Sequence, residues 1–287
     1  MSQVCILTDG MAQFPAPVFP GCELVHLLPV PIYLQGEQVA SRDIKLSQLP
    51  ASIGDKPPFR LALPSVADFE RTFVTLGARY SEIVAILSSA QFSPMVSHAR
   101  QAASAGKSSA AVQVIDSQNC AVGLGLLVQA AAAASLNGCS AAEICRLVRR
   151  LAVHVYSAFC IQDLTYLAAA GQIDPAQAVV GEMLGIVPVM VLESGRLVAL
   201  QKMRNIRHLI DLLYEFIIEF DHIRHVALLR GTLPYKQEVH NLRERLDDYL
   251  PSCTISEHSL NAPLATIIGP HSLGVVVMED YDDIETL

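Results

Sequence analysis

The sequence predicts an α/β protein of two α/β domains. The N-terminal domain, residues 1–156, has a mostly parallel sheet flanked by helices. The C-terminal domain, residues 157–287, combines a mixed sheet with helices. Three observations predict this. Up to Val153, short apolar runs alternate with helical segments of roughly 10–15 residues, the pattern of βαβ crossovers. Beyond Tyr156, two apolar runs flank Glu193-Ser194-Gly195, a hairpin signal that brings in antiparallel pairing. The chain has 287 residues, 52% hydrophobic and 17% charged, which is enough apolar material for two cores and too much for disorder.

In the N-terminal part, Val4–Thr8 reads as a first strand turned by Asp9-Gly10. Cys22–Val30 and Val30–Leu34 read as further strands, broken by Pro29 and Pro31. Residues 36–55 are polar and read as loop with a short helix near Leu46. Ser65 and Asp68 form a capping-box variant for a helix that buries Phe69, Phe73 and Leu76, with Gly77 at its end. Ile83–Leu87 is a buried strand. Ser93 caps a helix that opens at Pro94 and runs to Ser104. Ala111–Asp116 is the next strand, Gly123–Leu136 a buried helix, and Ser140 with Glu143 a full capping box for a helix to Val153.

In the C-terminal part, Ala158–Gln162 is a strand, and Leu164–Ala170 and Pro175–Leu184 are short helices closed by Gly171 and Gly185. Ile186–Leu192 and Leu197–Met203 form the hairpin. Asn205–Phe220 and Lys236–Leu250 are helices. His225–Leu229, Cys253–Glu257 and Gly274–Met278 are strands.

Composition excludes several classes of function. The net charge is −8 and no run of Lys or Arg exceeds two residues, which argues against nucleic acid. The seven cysteines are scattered without a Cys-x-x-Cys, so reduced thiols, a cytoplasmic location and no zinc site are expected. The first residues carry no basic segment before a long apolar one, so no signal peptide is expected. The most apolar window, Ala121–Leu136, falls short of the roughly 20 residues of a membrane span. Gly123-Leu-Gly125 lacks the remainder of a dinucleotide fingerprint and reads as close helix packing. No cofactor is expected.

Ser93 either only caps its own helix or also serves a ligand site. A helix opening at the C-terminal edge of a parallel sheet sits where α/β proteins bind ligands. Its unpaired N–H groups and partial positive charge suit an anion. Asp9 ends the first strand, where it either caps the turn with Gly10 or positions a hydroxyl of the site. Ser88 and Ser89 stand at the end of the strand before Ser93 as possible support.

Seven stretches in order resemble the DegV family of bacterial fatty-acid-binding proteins. They are Thr8-Asp9-Gly10; Pro64-Ser65; Phe92-Ser93-Pro94-Met95; Val114-Ile-Asp-Ser117 with Gly123-Leu-Gly125; Leu164-Thr-Tyr-Leu167 with Ala170-Gly-Gln-Ile173; Gly181 to Pro188 with Gly195 and Lys202-Met-Arg204; and Gly269-Pro-His271-Ser272. The resemblance implies a non-enzymatic protein holding one long-chain fatty acid at the interface of its domains. The tail would lie in an apolar tunnel; Phe92, Met95, Met183 and Met190 either line it or are ordinary core. The carboxylate would sit on hydroxyls near Ser93 and Ser89, with Arg204, His271 and Asp9 as further site candidates. A fatty-acid kinase is the implied partner of some members.

The chain departs from the family pattern at identifiable places. Leu61 stands where the family has a head-group Thr, Ala62 and Leu63 replace the Ser and Gln after it, Gln172 replaces an Arg, and Val187 replaces a Lys. Two other readings therefore stay open. One is a phospho-carrier or kinase-substrate-like protein with a reactive His271 or His98. The other is a lipid sensor uncoupled from the kinase.

Overall fold

The computed structural model describes residues 3–54, 57–203, 208–232 and 236–280. In chain order, β1 (Cys5–Asp9) and β2 (Val25–Leu28) precede a small sheet of β3 (Ile32–Leu34), β4 (Glu37–Val39) and β5 (Phe59–Leu61), ordered β4-β3-β5. There follow α1 (Val66–Gly77), β6 (Glu82–Leu87), α2 (Met95–Ser104), β7 (Ala111–Asp116), α3 (Ala121–Leu136) and α4 (Ala141–Ala152). The remaining elements are β8 (Val155–Cys160), α5 (Leu164–Ala169), α6 (Pro175–Met183), β9 (Val187–Glu193), β10 (Arg196–Met203), α7 (Leu209–Ile218), β11 (Ile223–Arg230), α8 (Lys236–Tyr249), β12 (Thr254–Ser259), α9 (Ala262–Ile268) and β13 (Leu273–Glu279).

Contacts divide the chain into two compact units. One comprises Met1–Ile32 and Leu61–Val153, the other Tyr33–Arg60 and His154–Leu287. Both units are discontinuous: residues 33–60 group with the C-terminal part, and the first unit ends at Val153. Within the second unit Tyr166 anchors that excursion: its hydroxyl donates to the Pro50 carbonyl at 2.6 Å and its ring stacks on Phe59 at 5.5 Å.

The first unit is built on a wholly parallel sheet in the order β2-β1-β6-β7. Residues 83–87 of β6 are fully buried, as expected for a central parallel strand covered on both faces. Both capping boxes form. Ser65 Oγ accepts the Asp68 N–H at 3.3 Å while Asp68 accepts the Ser65 N–H at 2.8 Å, and Ser140 and Glu143 repeat the exchange at the start of α4. In α4 the buried Ile144, Val148 and Leu151 recur at helical spacing and face the core. The third helix starts at Ala121, two residues earlier than Gly123. Inside it, Gly125 lies so close to the neighbouring chain that an added Cβ would stand 2.0 Å from the Gln13 carbonyl oxygen.

The second unit carries a six-stranded mixed sheet in the order β10-β9-β8-β13-β11-β12. Its pairs are antiparallel except β11 with β12. Alternate residues of this sheet, among them Ala158, Val189, Val226, Leu228, Val275 and Val277, pack on Leu209, Leu213 and Ile217 of α7 and on Val239, Leu242 and Leu246 of α8. Three elements were not legible in the sequence: β4, β5 and α9. The signal for α9 was present in Asn261, whose side chain caps the helix by accepting the Leu264 N–H at 2.9 Å, with Pro263 in its first turn.

Candidate ligand-binding site

The C-terminal ends of β1 and β6 are adjacent in the first unit, and Asp9 joins them. Asp9 is fully buried. Its Oδ2 accepts the Ser88 N–H at 2.7 Å and its Oδ1 accepts the Met11 N–H at 2.9 Å. Burial pushes the Asp9 pKa up, and the two backbone N–H bonds oppose that shift. Asp9 thus closes its own turn and also fixes the backbone of Ser88. The Thr8 hydroxyl beside it is buried and has no hydrogen-bond partner among the described residues. Thr8 was not singled out in the sequence, although it stands in the same Thr-Asp-Gly stretch.

From Ser88 the chain turns along the sheet edge toward α2. Ser89 donates its N–H to the Asn119 carbonyl at 3.0 Å, and its hydroxyl accepts the Gln91 N–H at 3.2 Å. Asp116, at the end of β7, accepts the N–H groups of Ala90 at 3.2 Å and Gln118 at 3.0 Å. Asp9 and Asp116 therefore pin the two strand ends around the same loop.

Ser93 is nearly buried at 7% exposure. The helix begins one residue later than expected, with Pro94 rather than Ser93 in the capping position, and the His98 N–H bonds back to the Pro94 carbonyl. Ser93 still serves the helix end, because its Oγ accepts the Met95 N–H at 3.4 Å. In that bond the hydroxyl is an acceptor, and its own proton is not used. The first-turn amides of α2 have no intrahelical carbonyl to bond and add partial positive charge. His98 on the same helix is held at Nδ1 by the Pro64 carbonyl at 2.9 Å, which ties α2 to the chain just before α1.

The remaining candidates are described each in its own surroundings. Leu61 is the partly buried last residue of β5. His271 belongs to the second unit, in a loop fixed by Gly231 and Thr232, whose N–H groups reach the Ser272 and Pro270 carbonyls at 2.9 and 2.8 Å. Gly231 is required there, since a Cβ would stand 2.3 Å from the Pro270 oxygen. Arg204 lies outside the described residues. Of the proposed lining residues, Met95 and Met190 are buried, Phe92 is partly buried, and Met183 is 81% exposed on α6.

A cleft of about 760 Å³ opens in the second unit, lined by residues that include Lys202, His208, Asp211, Tyr214, Glu215 and Arg245. Arg245 is bound to Asp211 at 2.7 Å and lies over the Tyr214 ring at 4.0 Å. Charges of both signs line it, which does not suit an acyl chain. Among the described residues no helix is long and apolar enough to cross a membrane, and no group of three or more His, Cys, Asp or Glu side chains could hold a metal ion.

A family model described as "Uncharacterised protein, DegV family" matches residues 3–280. A DegV domain-containing protein of Deinococcus radiodurans is 25% identical over 280 residues, covering 95% of this chain and 96% of its own. Among solved structures, a fatty acid binding DegV family protein from Streptococcus agalactiae superposes with a TM-score of 0.84 at 18% identity, over 98% of this chain and 100% of that one. The fatty acid kinase B3 protein of Streptococcus pneumoniae, loaded with linoleic acid, gives a TM-score of 0.79 at 16% identity, over 97% of this chain and 100% of that one.

Proposed function

Because this chain belongs to the DegV family, we propose that it is a non-enzymatic carrier of one long-chain fatty acid, whose carboxylate is received by Ser93 and the first turn of α2. The observation that carries this reading is the nearly buried Ser93 hydroxyl at the C-terminal edge of the parallel sheet, with its proton uncommitted by its bond to Met95. A carboxylate offers only acceptors, and this edge offers an O–H and helix amides as donors. The relatives described as fatty acid binding match over nearly the full length of the chain, which supports the same ligand class. Asp9 and Ser89 act here as positioning residues, since both are bound to the backbone of the loop that carries Ser93.

Coupling to a fatty-acid kinase is a separate part of the proposal. Gln172, where the family has Arg, brings no charge to such a partner, and Leu61 brings no hydroxyl to the head group. On this reading the chain binds fatty acid and presents it poorly for phosphorylation. The location is cytoplasmic, in keeping with seven free cysteines.

The test is binding of a long-chain fatty acid by the wild type and by Ser93→Ala, measured by calorimetry. The reading expects one site, weakened about ten- to a hundredfold by the substitution, as befits a lost hydrogen bond to a charged group. Equal affinity in both proteins would remove Ser93 from the site. No binding in the wild type would remove the ligand class.

A further inference from the structure

At the edge of the second unit's sheet, two histidines on adjacent strands converge on one hydroxyl. His225 Nε2 lies 2.8 Å from Ser256 Oγ, and His258 Nε2 lies 2.9 Å from the same oxygen. His225 stands on β11 and the other two on β12, the outermost strand of the sheet. Strand alternation puts His225 on the face opposite Val226 and Leu228, away from the α7 and α8 core. We propose that this His225–Ser256–His258 bridge is an acid-labile fastening that holds β12 to the sheet near neutral pH and lets it loosen when the imidazoles are protonated.

The argument is one of proton counting. A hydroxyl has one hydrogen, so Ser256 donates to one imidazole and accepts an N–H from the other. Both contacts are satisfied together when one ring presents a bare Nε2 to the Ser256 hydroxyl and the other presents an Nε2–H. A proton on the accepting ring removes its lone pair, so the Ser256 hydroxyl loses that acceptor, and when both rings are protonated they carry like charges across one oxygen. His225 is only 7% exposed, so its charged form also loses hydration.

The charged surroundings favour the neutral state. Arg224, which lies 3.7 Å from the Asp280 carboxylate, repels a proton on His225, and so does His258. Glu257 is the carboxylate that acts on the pair, through His258. Across the ladder His225 faces Met278 of β13, which carries no charge. Arg243 of α8 meets the strand only through the Ile255 carbonyl, its other contacts going to Asp247. Burial first, then His258 and Arg224, bring the His225 pKa down to about 4, and burial lowers that of His258.

Loosening falls on β12 because among the described strands it pairs only with β11. The strand leads through Leu260, whose N–H bonds the Arg230 carbonyl at 2.8 Å, into α9 and then the loop of His271. Acid release of β12 is thereby connected along the chain to that loop.

Hydrogen–deuterium exchange of the full chain, read by mass spectrometry at about pH 7.5 and about pH 5 with intrinsic rates corrected, tests this. In the wild type, protection across residues 254–259 should fall about tenfold or more at the lower pH relative to residues 273–279. In His225→Gln, which keeps a partner for Ser256 but takes no proton, protection should stay level. Unchanged protection in the wild type, or an equal fall in His225→Gln, overturns the proposal. Imidazole ¹⁵N resonances of the wild type give a check that needs no variant. They should show one Nε2–H and one bare Nε2 down to about pH 5.5, and protonation of both rings above that pH overturns it.

Discussion

Asp9 Oδ2 holds the backbone N–H of Ser88 at 2.7 Å, joining residues that lie 79 positions apart in the chain. This one bond sets the end of β6 against the end of β1. It thereby fixes where the loop to Ser93 begins.

Replacing Asp9 leaves two buried N–H groups, of Ser88 and Met11, without their acceptor. Asp9→Ala should destabilise the protein by about 2–4 kcal/mol, and Asp9→Asn by less because its amide oxygen still accepts one N–H. Urea unfolding checks both. The Asp9 pKa is raised in the folded state, so the stability contributed by its carboxyl is complete below the ordinary carboxylate pKa and declines as pH rises through the folded value.

Gly125 admits no side chain, because its Cβ would meet the Gln13 carbonyl oxygen at 2.0 Å and both partners are backbone. Gly125→Ala should cost about 2–3 kcal/mol despite its better helix propensity. A rise in melting temperature would show that α3 can move away from that turn.

The caps should give smaller, predictable losses. Ser140→Ala removes the acceptor for the Glu143 N–H at the start of α4, and about 1 kcal/mol of stability with it. Thermal unfolding is the check.

The contribution of His225 to stability should fall in mild acid. His225 binds its proton at a lower pH when folded than its ordinary 6.5, so the unfolded chain takes up protons first as pH drops between 6.5 and about 4. The loss from this residue is on the order of 2–3 kcal/mol across that window. It should vanish in His225→Gln, and denaturant midpoints measured against pH decide it.

Leu61→Thr places a hydroxyl at the end of β5, at the position where the resemblance implies a head-group Thr. If that position serves the head group, fatty-acid affinity should rise about fivefold or more. An unchanged dissociation constant would separate Leu61 from the site.

Much of this was legible because the signals were local. Ser65 with Asp68 and Ser140 with Glu143 announce their helices, and the apolar run at Ile83 announces a central strand. Ser93 was legible as a helix-start hydroxyl, although the helix opens at Met95. What escaped depends on long-range contacts. Residues 36–55 read as loop because Pro50, like the neighbouring Phe59, acquires its partner, Tyr166, more than a hundred positions later. Nothing near Asp9 shows that its carboxylate is completed by Ser88. The His225–Ser256–His258 bridge needs the pairing of two strands that α8 separates in the chain.

The most direct test of the central claim is native mass spectrometry of the full chain as purified, followed by extraction and identification of what is bound. The account predicts one long-chain fatty acid per chain, with occupancy sharply reduced in Ser93→Ala. A wild-type protein that carries no fatty acid and takes none up when it is supplied would contradict it.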